Sequence, residues 1–359
     1  MPPDEPRGRP MGAAALRDRA TEAAAQALVD ARAARARGDT DRARMLEAML
    51  AVPAALVLYG PERDHYGFAF GDLVAARHIA VVVPGVGRDL NLVHDWLPWA
   101  QNLFEVTERS AVVLWKGYDD PVDLAVAVAD IAVEDRRAQE GAQRLSAFVA
   151  LLQQGEAAGD QSVTVVAHSF GSVVTGEALA NYAMTCTDVV VLGSPGIGVE
   201  SFEELHLRAG HFFAEKAPRD VVAGLGVIGA DPASLSFGGT RMTTNEVGRP
   251  DVVEHSSYFT RGSRALENIG DVVMGRYGDV AVQSTNVANA VGDLVTTLVK
   301  APLFPLRAVA DHYTGPGFRL ARVADRTVHV VATEAGAVVR DALQAVADAA
   351  GRALGLGPE

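Results

Sequence analysis

The chain has 359 residues, of which 49% are hydrophobic and 21% charged, a balance that lets a sizeable core form and excludes wholesale disorder. With 32 Lys and Arg against 45 Asp and Glu the formal charge is −13, which repels phosphate backbones and anionic lipid surfaces, so no nucleic-acid partner is expected. A single cysteine, Cys186, rules out an internal disulfide and a cysteine-built zinc site, and fits a reducing compartment.

Residues 1–10, MPPDEPRGRP, are proline-rich and charged; they read as a disordered tail and lack the apolar core of a secretory signal. Residues 11–50 are Ala-rich with interspersed Arg, Asp and Glu, which predicts a helical arm of two helices broken near Gly38-Asp39-Thr40. That arm reads as a cover for the core, with a partner-binding or dimerisation helix as the alternative; self-association is left open. The nearest approach to a membrane span is AMLAVPAALVLYG from Ala48, which is interrupted by Pro53 and falls short of the ~18 apolar residues a span needs. No transmembrane segment is expected, and the protein is expected to be soluble and cytoplasmic.

From 51 to 280, short β-branched runs alternate with helical stretches. The runs are ALVLYG to Gly60, YGFAFG to Gly71, HIAVVVPG to Gly85, SAVVLW to Trp115, SVTVVAHS to Ser169, DVVVLGSPG to Gly196 and HFFAEK to Lys216. The later runs are nearly all apolar rather than alternating, as strands covered on both faces of a parallel sheet are. Helical composition fills Asp123 to Gln154 and Ser172 to Ala183. Such βαβ repetition predicts a doubly wound, mostly parallel α/β sheet carrying N- and C-terminal helical additions. Residues 281–359 read as a helical region with breaks at Pro302 and Pro305, a short strand at VHVVAT and a final Ala-rich helix. Within it, Val287 to Leu306 reads as ordinary packing or as an amphipathic flap over a site.

The segment SVTVVAHSFGSVVTGEALANYA carries most chemical information. A buried strand runs into Ala167-His168-Ser169-Phe170-Gly171 and a helix begins at once, the strand, corner and helix context of the G-x-S-x-G motif with Ala167 in place of the first glycine. Small residues are needed on both sides of the corner because it brings strand and helix into close contact. Ser169 would then stand at a helix amino terminus, where unpaired N–H groups favour developing negative charge. The bland reading of Ser169 is a helix cap.

A serine hydroxyl is a weak nucleophile and needs a base, with a third group to orient that base. In sheets of this kind the chain order is Ser, acid, His. Among His206, His211, His255, His312 and His329, the best placed base is His255, in the polar segment EHSSYF after the β-rich region. The acid is expected just beyond HFFAEK, which selects Asp220 over Asp231 and Asp251. The oxyanion requires two backbone donors: Phe170, next to the nucleophile, and Val86 or Gly87 from the loop VVVPGVGRD. Trp115 and Tyr118, at the end of the fourth run, read either as pocket lining or as core; His168 reads as packing or orienting the corner, and as a neighbour of the substrate. The glycines at 85 and 87 lack the third glycine of a dinucleotide loop, LGSPGIG reads as a wall of the site, and H-E-x-x-H spacing is absent, so no cofactor and no metal are expected.

With those residues in place, the chain resembles an actinobacterial α/β-hydrolase family long catalogued as a domain of unknown function. The resemblance rests on HIAVVVPGVG, WKGYDDP, VVAHSFGSVV, VLGSPGIGV, APRDVV, GADPASLSFGG and EHSSYFTRGSRALENI, spread over about Ile79 to Ile269. It implies an α/β-hydrolase fold with Ser169, Asp220 and His255 as the triad, and says little about substrate. The function expected is a serine hydrolase that cleaves a carboxylic ester or thioester, or transfers its acyl group, through an acyl-enzyme, with a hydrophobic small molecule as substrate. Two alternatives share the fold: a non-catalytic binder of a hydrophobic small molecule, which has no need of a full triad, and a biosynthetic cyclase or lyase.

Overall fold

The computed structural model describes residues 11–87, 95–120, 131–154, 161–220, 222–223 and 228–283. The tail at 1–10 and the C-terminal region from 284, with the Val287–Leu306 stretch, Pro302, Pro305 and VHVVAT, lie outside the described residues.

Helix α1 (Met11–Ala36) turns at Gly38 into α2 (Thr40–Leu50), whose first turn is capped by Asp39 accepting from the Arg42 N–H at 3.1 Å. Buried Ala27 and Ala31 of α1 meet Leu46 and Met49 of α2 in one apolar cluster, and the Tyr59 hydroxyl donates to Asp30 at 2.7 Å, tying the pair to the sheet. The alanines let the helix lie close to its neighbours without a bulky side chain to displace them.

Among the described residues the sheet has eight strands: β1 (Ala55–Gly60), β2 (His65–Phe70), β3 (His78–Val83), β4 (Ser110–Lys116), β5 (Ser162–His168), β6 (Asp188–Leu192), β7 (Phe212–Glu215) and β8 (Thr240–Arg241). Their order is β1-β2-β4-β3-β5-β6-β7-β8. β2 is antiparallel to both β1 and β4, while the pairs from β4-β3 through to β7-β8 are parallel. Among the described residues the further α-helices are α3 (Leu97–Val106), α4 (Ile131–Leu152), α5 (Phe170–Asn181) and α6 (Arg264–Val273).

Successive residues of a strand face opposite sides, and here both sides are covered. Val81 and Val83 of β3 join Phe148 of α4 and Val174 of α5 in one core, whereas Ala80 and Val82 join Leu103 of α3 and Ile269 of α6 in the other. That double burial is why the runs read as continuously apolar. All seven runs form strands. The helix after β5 starts at Phe170 rather than Ser172, and α4 lies inside the predicted 123–154 span, whose first residues, 123–130, are outside the described ones. α3, α6 and the two-residue β8 were not anticipated. Among the described residues, no helix is long and apolar enough to cross a membrane.

The parallel strands end on one edge, so the loops after β3, β5, β6 and β7 collect there, and a ligand crevice in such sheets forms outside these carboxyl ends. α5 is pinned to this edge by close backbone approach: a Cβ added at Gly176 would lie 1.9 Å from the Ile197 carbonyl oxygen in the loop after β6. Gly176→Ala is therefore expected to destabilise the fold by roughly 1–3 kcal/mol through overpacking, read as a lower urea midpoint with unchanged slope. An unchanged midpoint would mean that α5 and this loop are free to separate.

Candidate active site

The corner between β5 and α5 places Ser169 at φ 54° and ψ −128°, a conformation that L-residues rarely adopt and that costs on the order of 1–3 kcal/mol. The surroundings enforce it. The Ser169 N–H donates to the Leu192 carbonyl at 3.0 Å, and Ser172 Oγ donates to the Ser169 carbonyl at 2.6 Å. A Cβ at Gly171 would lie 2.4 Å from the Val83 carbonyl oxygen and 2.6 Å from that of Pro84, so only glycine lets the corner approach the end of β3. Ala167, fully buried between Val83 and Val191 across the sheet, satisfies the same need for a small residue on the strand side. Ser169 occupies the N-cap position of α5, yet its side chain makes no capping hydrogen bond. The helix-cap reading of this serine is therefore not what the geometry contains. The residue is 3% exposed.

His255 and Asp220 meet 35 residues apart in sequence: His255 Nδ1 lies 2.9 Å from Asp220 Oδ1 and 3.0 Å from Oδ2. A carboxylate beside Nδ1 favours the tautomer with the proton there, leaving Nε2 as the acceptor. Asp220 is fully buried. Burial by itself would raise its pKa, but the charge of His255 and hydrogen bonds from His255, Tyr258 and the Ala223 N–H hold the carboxyl well below the usual carboxylate range. The Tyr258 hydroxyl donates to Asp220 Oδ2 at 2.6 Å and accepts from the Ala217 N–H at 2.9 Å, while the N–H groups of Val222 and Ala223 reach Oδ1 at 2.9 and 3.0 Å. Tyr258 is thus a support of the acid that sequence reasoning missed; its only signal was its place three residues after His255.

The loop after β6 closes the gap between this pair and Ser169. A Cβ at Gly193 would fall 2.5 Å from Asp220 Oδ2 and 3.0 Å from His255 Nδ1, and Gly193 directly follows Leu192, which receives the Ser169 N–H. Ser194 lies behind, its hydroxyl 2.7 Å from that of Ser172. His168, 3% exposed, bridges the two sides: its Nε2–H donates to the His255 carbonyl at 2.6 Å, and its ring lies 4.5 Å from that of His255 and 4.9 Å from that of Trp99. Burial, with the nearby His255, pushes the His168 pKa down to about 3, so it stays neutral and can donate through Nε2 alone.

Gly85 backs directly onto the serine, since a Cβ added there would lie 2.6 Å from Ser169 Cβ and 3.1 Å from Oγ. Of the two loop donors expected for an oxyanion, Gly87 is committed elsewhere: its N–H reaches Asp120 Oδ2 at 3.2 Å. Phe170 is the first residue of α5, so its N–H has no acceptor within the helix. Trp115 and Tyr118, read as pocket lining or core, are core: they are 2% and 1% exposed, with Trp115 against Tyr118 and Phe148. Asp231 pairs with Lys216 at 3.1 Å, Asp251 is exposed, and His211 bonds Asp188 at 2.8 Å at the opposite edge of the sheet. His312 and His329 lie outside the described residues. Among the described residues, no group of three or more His, Cys, Asp or Glu side chains is arranged to hold a metal ion.

A family model described as "Alpha/beta hydrolase" matches residues 65–230, which contain β2 to β7 and the whole Ser169 corner. This segment has the α/β-hydrolase fold. Among curated relatives, the uncharacterized protein Rv2079 of Mycobacterium tuberculosis (strain ATCC 25618 / H37Rv) is 30% identical over 269 residues, covering 63% of this chain; the chain spans only 40% of that relative's length. The uncharacterized protein Mb0988c of Mycobacterium bovis (strain ATCC BAA-935 / AF2122/97) is 29% identical over 233 residues, covering 58% of this chain and 85% of its own. A dienelactone hydrolase structure from Anabaena variabilis ATCC 29413 is 16% identical, covers 64% of this chain and 98% of its own, and has a TM-score of 0.37. An IroE-like serine hydrolase structure from Shewanella oneidensis is 13% identical, covers 78% and 95%, and has a TM-score of 0.33. Such loose likenesses carry nothing about substrate.

One buried acid lies outside the Ser169 cluster. Glu215, at the end of β7, is 2% exposed; its Oε1 has only a long contact from Asn268 at 3.4 Å and its Oε2 has no partner among the described residues. Burial pushes its pKa well above the usual range, so the folded protein keeps the proton. A raised folded value gives stability that is fully present below the unfolded carboxyl value of about 4.3 and is lost as pH rises through the folded value. Glu215→Gln, neutral at every pH, should therefore gain stability relative to wild type between pH 4 and pH 8 in paired urea titrations. A difference that did not change with pH would show that Glu215 ionises freely in the fold.

Proposed function

We propose that the protein is a serine hydrolase that cleaves a carboxylic ester or thioester, or transfers its acyl group, through an acyl-enzyme. Ser169 Oγ attacks the carbonyl carbon while its proton passes to His255 Nε2, and the carbonyl oxygen becomes an oxyanion. The C–O or C–S bond to the leaving group then breaks, and His255 returns the proton to that group. Water, or an acceptor alcohol or thiol, repeats the sequence on the acyl-Ser169 and frees the acid or the transferred product. Asp220 holds the His255 tautomer and stabilises the imidazolium formed in each half-reaction. Phe170 and Val86 supply the N–H groups that receive the oxyanion. The substrate is expected to be a hydrophobic small molecule.

The observation that carries this reading is the Ser169 corner. A serine held at positive φ at a helix N-terminus, with its hydroxyl not used for capping, has a conformational cost and no structural return. The half-buried His255, paired with buried Asp220 and one residue contact away through Gly193, is the base that such a hydroxyl requires. Ser169→Ala is expected to lower kcat/KM on short nitrophenyl esters by on the order of 10⁴ to 10⁶ while its unfolding midpoint stays near wild type. Hydrolysis by the variant at the wild-type rate would refute the assignment.

A further inference from the structure

Beneath the loop from Pro84 to Gly87, β4 runs out into Trp115-Lys116-Gly117-Tyr118-Asp119-Asp120, and three of these side chains reach the loop. The Tyr118 hydroxyl lies 2.5 Å from the Pro84 carbonyl oxygen and 2.9 Å from that of Gly85, one proton serving two acceptors. Lys116 Nζ lies 3.5 Å from the Gly85 carbonyl oxygen, is ion-paired with Asp120, and sits 3.3 Å from the centre of the Tyr118 ring. The other carboxylate oxygen of Asp120 takes the Gly87 N–H. Lys116 is 3% exposed; an ammonium buried to that degree costs several kcal/mol of desolvation that its ion pair only offsets, so this lysine is a poor device for stability alone.

What the cluster does follows from peptide geometry. In a planar trans peptide the carbonyl and the next N–H point to opposite sides. Holding the Gly85 carbonyl toward Tyr118 and Lys116 turns the Val86 N–H the other way, and Gly85 lies against Ser169. Resting on the serine-hydrolase reading, we propose that Tyr118 and Lys116 are positioning residues that clamp the Gly85–Val86 peptide with the Val86 N–H aimed at the oxyanion, while Asp120 withdraws Gly87 from that role. Two donors on one carbonyl also polarise the peptide, which makes its N–H a stronger donor in the tetrahedral intermediate. The benefit falls on the transition state rather than on the bound substrate, so kcat is affected and KM is not.

Lys116 adds a signature that a passive prop would lack. Burial lowers its pKa to about 8 against the pull of Asp120 and Asp119, so the clamp is cationic at neutral pH and loses its charge above that value. The groups that face it are Asp120, Asp119, the rings of Tyr118 and Trp96, and His65 at longer range.

The test measures kcat and KM of wild type, Tyr118→Phe and Lys116→Met on short nitrophenyl esters from pH 6 to 10, with Ser169→Ala as the blank and thermal melts alongside. Each variant is expected to lose on the order of tenfold in kcat, less than the ~10²–10³ that follows deletion of a direct oxyanion donor, with KM within about twofold. Wild-type kcat should fall above about pH 8, and that fall should be missing from Lys116→Met. The two substitutions are made in separate variants, so one answers should the other prove unstable. Variants that match wild type in kcat while Ser169→Ala is inactive would overturn the clamp and leave the serine hydrolase standing. A wild type with no turnover above the Ser169→Ala blank would overturn both.

Discussion

The whole carboxyl edge of the sheet is organised by one close approach, that of the Ser169 corner to the ends of β3 and β6. Gly171 permits it on one side, where a Cβ would strike the carbonyls of Val83 and Pro84, and the Ser169 N–H bond to Leu192 fixes it on the other. The strain of positive φ at a serine has to be offset by the rest of the fold, and it is offset by two layers of apolar packing on a sheet buried on both faces. Because strands β3, β5 and β6 are rigid in register, the loops that follow them stand at fixed distances from the serine, and the groups they carry need little further ordering.

The ionisable groups around this corner are buried or half-buried, and each is tied to a partner of matching chemistry. Asp220 is kept ionised by donors from His255, Tyr258 and two backbone N–H groups. His168 is kept neutral and ties the corner to the His255 backbone. Lys116 and Asp120 compensate one another under the β3 loop. Fixed dipoles and charges in a dry environment need little reorganisation when charge develops beside them, which is the condition under which they influence a reaction most.

Much of this was legible in the sequence because it is local. The β-branched runs, the turn glycines and the strand-corner-helix pattern around Ser169 lie within short windows, and the order of Ser, acid and His narrows the partners to Asp220 and His255, which the fold brings into contact. What could not be read depends on contacts between distant segments. Tyr258 supports Asp220 from 38 positions away, and Tyr118 reaches the Pro84 and Gly85 carbonyls from 34 and 33 away; in the sequence both are simply aromatic residues near polar ones. Gly87 was an equal candidate with Val86 because a glycine-rich loop does not reveal which of its N–H groups a carboxylate will take. Helix α6 was readable in principle: Ser263 caps it through the Leu266 N–H, and buried Ala265, Leu266, Ile269, Val272 and Val273 follow helical spacing. β8, two residues long, is below the length at which periodicity carries information.

The central claim is that the hydroxyl at position 169 is reactive because of where the fold holds it, and the most direct measurement is the site of covalent labelling. Intact-mass and peptide-mapping spectra after treatment with a fluorophosphonate should show one adduct per chain, located on Ser169, and labelling should slow sharply in His255→Ala. An unlabelled protein, or an adduct on a neighbouring hydroxyl such as Ser194 or Ser172, would contradict the account.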